Sequence, residues 1–133
     1  MFPKIYLYRR VVQAKLFIDN NFCENIDLND MADEAFYSRF HFIRLFKMAY
    51  GKTPHQYLTS VRIENAKLLL QNGTIVADVC FAVGFDSVSS FTGLFKRITS
   101  TTPSSYQKEQ LLRKAELNSI PLKFVPNCFI ENL

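Results

Sequence analysis

The sequence predicts an all-α fold of about seven helices, in which a unit of helix, tight turn and helix occurs twice around one long connecting helix. Three observations predict it. Gly and Pro are sparse, at four and five among 133 residues, which disfavours a turn-rich β fold. The stretch from Phe42 to Tyr57 returns forty-nine positions later as Phe91 to Tyr106, with Phe42/Phe91, Leu45/Leu94, Phe46/Phe95, Lys47/Lys96, Thr53/Thr102, Pro54/Pro103 and Tyr57/Tyr106 identical. Self-similarity at a period near fifty marks one supersecondary unit used again. Each copy also carries a Thr-Pro pair. Threonine accepts a first-turn N–H, and proline at the first helical position sacrifices no needed donor, so the pair starts a helix.

The elements follow in order. Residues from about Lys4 to Asn20 place Ile5, Tyr8, Val12 and Leu16 at three-and-four spacing, with Val11 and Ile18 widening the apolar face, which predicts an amphipathic helix. Asp27, with Asp30 three residues on, caps a short helix through Met31, Ala32 and Ala35. Phe36 and Tyr37 make a turn, and Ser38 caps a helix to about Ala49 whose inward side is Phe42, Leu45, Phe46 and Ala49. Gly51 suits the left-handed residue that closes such a helix. The helix from Pro54 to about Gln71 is the longest. Its apolar residues, among them Tyr57, Leu58, Val61, Ala66 and Leu68 to Leu70, exceed one stripe, so it is expected to pack on two sides. After Asn72-Gly73, Thr74 is the expected cap of a helix from Ile75 to about Val83. Gly84-Phe85 turns, Asp86 or Ser87 starts a helix to about Ile98, and Thr102-Pro103 starts the last, which fades near Leu117. The expected division is an N-terminal subdomain at 1–52, a linker helix at 53–72, a C-terminal subdomain at 73–117 and an extended tail at 118–133. That tail is rich in Ile120, Leu122, Phe124, Val125 and Phe129, and is read as lying over the domain's own core or as a partner-binding strand. Aligning Met31–Tyr37 with Val79–Phe85 extends the repeat upstream at a spacing of forty-eight.

Bulk properties exclude several classes. No apolar run approaches the roughly 18 residues of a membrane span. The N-terminus lacks the charge order and small-residue cleavage site of a signal peptide, so a cytoplasmic location is expected. Cys23, Cys80 and Cys128 are odd in number and widely spaced, unlike a disulfide framework or zinc site. They read as buried thiols, with Cys80 a small core residue among Val79, Phe81 and Val83. His41 and His55 have no suitably spaced Cys or carboxylate, so no metal or other cofactor is expected. No small-molecule site is evident either.

Charge is unevenly spread. From Phe17 to Ser38 every ionisable residue is acidic, whereas Arg39 to Lys67 holds Arg39, Arg44, Lys47, Lys52, Arg62 and Lys67 against Glu64 alone, within a net charge of +4. Lys96, Arg97, Lys108, Arg113 and Lys114 follow the second copy. Basic charge thus travels with the repeated unit, as a polyanion-binding surface requires, and as ordinary solvated helix faces also allow. Two short helices around a tight turn set the second helix into a DNA major groove. A connecting helix of about 18 residues is about 27 Å long at 1.5 Å per residue. Major-groove faces recur at about 34 Å, so the breadth of the two units can make up the difference.

Several motifs are specific in combination. They are Met31-Ala-Asp-Glu-Ala, Ser38 to Lys47 with His41 and Arg44-Leu-Phe-Lys, Gly51-Lys-Thr-Pro-His-Gln-Tyr, Arg62-Ile-Glu-Asn-Ala-Lys-Leu-Leu-Leu, Val79 to Phe85, and Phe91 to Tyr106. Together they resemble the DNA-binding domain of the AraC/XylS family over roughly residues 5 to 110. The resemblance implies seven helices, two helix-turn-helix subdomains joined by a long linker helix, and a nucleoid-associated regulator that binds double-stranded promoter DNA. Family members usually activate transcription, which makes RNA polymerase a candidate partner. Most carry a further ligand-sensing or dimerising domain, for which this chain leaves no room, so it is read as either a stand-alone regulator or the DNA-binding portion of a longer one.

Carried over position by position, the resemblance implies base-reading residues Ser38, Arg39, Phe40, Ile43 and Arg44 in the first recognition helix, and Val88, Ser89 and Thr92 in the second. Arg44 is the best base reader, since a guanidinium pairs bidentately with guanine O6 and N7. Phe40 fits either a thymine-methyl contact or the core. Gly93 stands where the family has a long polar reader, so direct readout there is expected to be poor. Lys47, Lys96 and Arg97, His41, and the helix starts at Thr53 and Thr102 are the candidate phosphate contacts. Arg62 and Glu64 are expected to hold the long helix to its neighbours. Phe36 and Ser100 replace turn glycines, so both turns are expected to differ slightly in geometry.

The competing function is a helical protein-interaction module using the acidic surface from Asp27 to Glu34 against a polymerase or another partner. Salt dependence separates the two readings, because phosphate contacts weaken steeply as salt rises. An enzyme is not expected, because no nucleophile with a base, carboxylate pair or phosphate loop stands out.

Overall fold

The computed structural model describes the backbone of residues 2–119 and the side chains of residues 8–118. All regular structure among these residues is helical: α1 Phe2–Asn21, α2 Leu28–Glu34, α3 Arg39–Tyr50, α4 Pro54–Gln71, α5 Val76–Ala82, α6 Val88–Thr99 and α7 Pro103–Ser119. Cys128 and most of the expected tail lie outside the described residues. Asn118 and Ser119, assigned above to the tail, continue α7.

Local chemistry sets the helix ends. Asp27 and Asp30 form a reciprocal capping box, each carboxylate accepting the other's backbone N–H at 2.8 and 2.9 Å. Thr53 and Gln56 do the same at the start of α4, with Pro54 in the first turn. Ser38 and Ser87 cap α3 and α6 by accepting from His41 and Ser90. One expectation fails: Ile75, not Thr74, is the residue before α5, and its side chain makes no capping bond. The Thr74 backbone instead closes the end of α4, its N–H donating to the Leu69 carbonyl at 3.2 Å while its own carbonyl accepts from Gln107.

Two clusters of buried side chains form the interior. The first joins Val11, Ala14 and Ile18 of α1 to Met31, Ala32 and Ala35, to Phe42 and Phe46 of α3, and to Leu58 of α4. The second gathers Ile63, Ala66 and Leu70 of α4 with Val79, Cys80, Val83, Phe91 and Phe95. The two-sided packing expected of α4 is therefore present, split along its length. Each cluster holds the same ring motif. Phe42 meets Phe46 edge-on at 5.6 Å, and Tyr57 tilts against Phe46 at 5.6 Å. Phe91, Phe95 and Tyr106 repeat it at 5.7 and 5.5 Å. Emptying either phenylalanine site to alanine would cost about 3–5 kcal/mol.

Three packing expectations need correction. Tyr8, Val12 and Leu16 face outward, while Val11, Ala14 and Ile18 face the core; the Ala14 position, without a long side chain, lets α1 approach α2 and α3 closely. Cys23 is exposed, whereas Cys80 is buried as expected. The turns at Phe36 and Ser100 were expected to differ from glycine turns, yet Ser100 adopts φ 67 and ψ 9 against φ 73 and ψ 2 at Gly51. The left-handed closure is kept and the non-glycine residue bears the strain. Phe36 also lies in the left-handed region, but at φ 57 against φ 101 at the matching Gly84, so the first turn does differ in geometry as expected.

Candidate nucleic-acid interface

The inward faces of α3 and α6 are consumed by Phe42, Phe46, Phe91 and Phe95, which decides what their other faces present. On α3, Arg39, Phe40, Arg44 and Lys47 are exposed and Ile43 is half-buried. Phe40 is 83% exposed, which removes it from the core and leaves a large ring on the outer face. Exposing such a ring has no folding benefit, so it fits a contact surface better than a packing role. Neither α3 nor α6 contains an Asp or Glu, so nothing on either helix would repel a polyanion.

The α6 face is smaller and more neutral. Val88 and Ser89 are exposed, Thr92 is half-buried, and a Cβ added at Gly93 would meet nothing within 4 Å. The opening at Gly93 therefore stands where Arg44 projects from α3. Lys96 and Arg97 lie exposed in the last turn of α6.

The remaining sequence candidates divide. The Ser38 hydroxyl accepts from the His41 N–H, which occupies part of its hydrogen-bonding capacity at the cap. The His41 ring packs edge-on to Tyr37 at 5.0 Å, and the Arg10 guanidinium lies over the same Tyr37 ring at 5.0 Å. His41 is thus drawn towards α1 and the first turn. The Thr53 hydroxyl is taken by the Gln56 N–H, and the Thr102 hydroxyl bonds Ser105 through both its backbone N–H and its side chain. Any anion at these helix starts would meet backbone N–H groups and the positive end of the dipole more than the hydroxyls.

A cleft of about 480 Å³ opens between the start of α4 and the second half of α6. Lys52, His55 and Arg97 line it together with Gln56, Thr59, Ser60, Leu94 and Ile98. It contains no carboxylate. In the sequence Lys52 stood only as a member of the basic run, and His55 as a histidine without metal partners, suited to a hydrogen bond or a phosphate. The usable signal was that His55, Gln56, Thr59 and Ser60 share one face of a helix at three-to-five spacing. Arg62 is placed as expected, holding α4 to the segment after α1. Glu64 is not: it is exposed, and among the described residues its ion pair runs along its own helix, to Lys67 at 3.0 Å.

Among the described residues no group of three or more His, Cys, Asp or Glu side chains forms a metal-binding cluster. No described helix is long and apolar enough to cross a membrane.

Comparison with known proteins gives consistent relatives. A family model described as a helix-turn-helix domain matches residues 31–109. The TetD protein of transposon Tn10 from Escherichia coli is 37% identical over 98 residues, covering 72% of this chain and 70% of TetD. An uncharacterised HTH-type transcriptional regulator from Pseudoalteromonas carrageenovora is 33% identical over 98 residues, 74% of this chain and 58% of that protein. The match spans only 26% and 34% of two Bacillus subtilis regulators. Among solved structures, the DNA-binding domain of the transcriptional factor AdpA, determined in complex with a target DNA, superimposes with a TM-score of 0.76 at 26% identity, covering 79% of this chain and 96% of that one.

Proposed function

We propose, for a chain that belongs to the AraC-type helix-turn-helix family of DNA-binding transcription regulators, that α3 and α6 enter successive major grooves on one side of duplex DNA. The observation that carries this is the doubled frame. Each copy buries two phenylalanines, caps its second helix with serine, closes it in the left-handed region and restarts with Thr-Pro. Both second helices keep an acid-free face outward. The 18 residues of α4 span about 27 Å between the copies, close to one turn of duplex once the breadth of the units is added.

Within that reading the two copies divide the work. Arg44 reads a base pair, most simply guanine through O6 and N7. Arg39, Phe40 and Ile43 complete the first reading face, and Phe40 and Ile43 offer apolar contact to thymine methyls. Val88, Ser89 and Thr92 make a short-reaching face that contributes shape and backbone complementarity more than base discrimination. Lys47, Lys96 and Arg97 neutralise phosphates, and the cleft cations Lys52 and His55 extend that set. In this reading the chain acts by binding and not by catalysis, and the support is its family of DNA-binding regulators.

Fluorescence anisotropy with labelled duplex tests the reading. Affinity should fall steeply with salt, with a log–log slope near −0.9 for each phosphate neutralised. A selection from random duplex should return a site with its strongest information in one half. No binding to any duplex at low salt would sink the proposal. Activation through RNA polymerase is its finer part, supported by the acidic set Asp27, Asp30, Asp33 and Glu34 around α2. Charge reversal at Asp33 and Glu34, both exposed, should lower transcription at a bound promoter without lowering DNA affinity; equal loss of both would remove the polymerase assignment.

A further inference from the structure

One junction touches both clusters of the interior, and it sits off the axis of α4. Phe22, just beyond the end of α1, packs against the first cluster and against the second. Its carbonyl accepts from Arg62 Nε at 2.7 Å, and the Glu24 carbonyl accepts from Arg62 Nη2 at 2.9 Å. These carbonyls lie just past the C-terminal end of α1, where the helix leaves acceptors unmet and where the dipole favours a cation. The same guanidinium stands 5.7 Å from the centre of the Phe85 ring in the second unit. Gly84, at φ 101, completes the contact from that side. A Cβ there would lie 2.8 Å from the Phe22 carbonyl oxygen and 3.1 Å from Arg62 Nε. Glycine is required at this position both by its backbone angle and by the approach.

A single shared helix resists bending but gives little resistance to pivoting of whatever is attached at its two ends. An off-axis tie does. We propose that the Arg62, Phe22 and Gly84 junction is a spacing clamp, fixing the relative placement of α3 and α6 and so the separation of half-sites that the protein accepts on DNA. This rests on the DNA-binding reading above. Arg62 touches no DNA in it; it is a positioning residue, acting through carbonyls of the first unit and the turn of the second.

The consequence is measurable apart from stability. Two linked contacts reinforce one another only while their geometry fits both sites, and that gain is commonly a hundredfold or more. On the selected site, inserting or deleting one base pair between the α3 half-site and the segment under α6 should cost the wild type about three- to tenfold in affinity, because α6 reads the shape of that segment more than its bases. Arg62→Lys keeps the charge without the fork, Arg62→Met removes both, and Gly84→Ala forces the Phe22 contact apart. Each should flatten that spacing penalty, while affinity for a duplex carrying only the α3 half-site stays near that of the wild type. A DNA-independent measurement accompanies it: spin labels at Met48→Cys on α3 and Lys108→Cys on α7, in a background of Cys23→Ser and Cys128→Ser. The distance distribution should broaden with Arg62→Lys or Arg62→Met and not with the control Lys67→Ala.

The clamp is overturned if folded Arg62→Lys and Arg62→Met retain both the spacing penalty and the narrow distance distribution. It is also overturned if half-site and full-site affinities fall together, which would make Arg62 a determinant of stability alone. If the wild type binds no duplex, the DNA reading fails by itself, and the distance distribution still decides whether the junction holds the two units in place.

Discussion

Ser100 and Gly51 occupy the same step of the repeat with the same backbone, and exchanging them is a controlled test of what that step costs. Both close their helices by donating a backbone N–H, from Gly51 to the Lys47 carbonyl and from Ser100 to the Lys96 carbonyl, each at 2.8 Å. Both lie in the left-handed region, at φ 73 and φ 67. For a residue with a Cβ that region costs roughly 1–2 kcal/mol. Glycine loses more chain entropy on folding, which returns roughly 0.5–1 kcal/mol of that gain. Ser100→Gly should therefore stabilise by about 0.5–1 kcal/mol, and Gly51→Ser should destabilise by a similar amount. The Gly51 site has nothing within 4 Å of an added Cβ, so its cost is conformational and not steric. Urea unfolding followed by circular dichroism would read both, with the midpoint moving and the slope constant. The corresponding change in Tm is about 2–6 °C in opposite directions. A neutral or destabilising Ser100→Gly would refute the reasoning, because the serine would then be contributing more than its backbone angle costs.

On selected duplex, Arg44→Ala should lose about 1–3 kcal/mol and relax preference at one base pair; equal loss on selected and random duplex would reassign Arg44 to the backbone. Replacing Ser89 and Thr92 together with alanine should reduce discrimination less than Arg44→Ala does, and a larger reduction would reverse the division between the copies. High pH should weaken the first cluster in particular. Burial and then the hydrogen bond to Asp19 raise Tyr57 above its ordinary 10.0, burial raises Tyr50, and the bond to Asp19 raises Lys15 above 10.5. Folding thus favours the protonated form of all three, so their contribution is complete below about pH 10 and is lost as pH rises through the folded values. Urea midpoints should fall above about pH 10, and Tyr57→Phe should make that fall shallower; a decline unaffected by Tyr57→Phe would remove the assignment.

Much of the fold was legible because it is written in local chemistry. Asp27, Ser38, Thr53, Ser87 and Gly51 each signal a helix boundary through one or two hydrogen bonds, and the one-turn spacing of Phe42 with Phe46 and Phe91 with Phe95 marks the inward faces. What was not legible depends on contacts between distant residues. On α1 two apolar stripes competed, and the regular three-and-four spacing of Ile5, Tyr8, Val12 and Leu16 outweighed Val11, Ala14 and Ile18 in the sequence pattern. The structure selects the stripe with the small residue, since α2 and α3 must come close. Ile63 belongs to the second cluster, yet its stripe begins only beyond Arg62, so it escapes a count of the whole helix. For the candidate site, Arg44 and its neighbours follow from the repeat register, while the cleft of Lys52, His55 and Arg97 needs the approach of α6 to α4. Ser100 shows a different limit. A missing glycine reads as altered geometry, whereas the helix on one side and the Thr-Pro start on the other hold the geometry and leave serine strained.

The matched tyrosines show what α4 is within this plan. Tyr57, at the fourth position of α4, turns its hydroxyl to Asp19 near the end of α1. Tyr106, at the same position of α7, accepts from Gln71 at the end of α4 at 2.7 Å, and the adjacent Gln107 donates to the Leu70 and Thr74 carbonyls. In register, α7 stands to α4 as α4 stands to α1. The connecting helix is therefore the closing helix of the first unit along its first half and the opening helix of the second unit along its second half. Leu58 serves one cluster and Ile63, Ala66 and Leu70 the other, with Arg62 between them. Fraying α4 in either half removes a wall from one cluster and loosens the anchor of the other. Unfolding should accordingly be a single cooperative transition, with calorimetric and van't Hoff enthalpies equal. Two resolved transitions, one retaining the near-ultraviolet signal of Tyr57 and the other that of Tyr106, would show that the halves are independent and that α4 is a spacer.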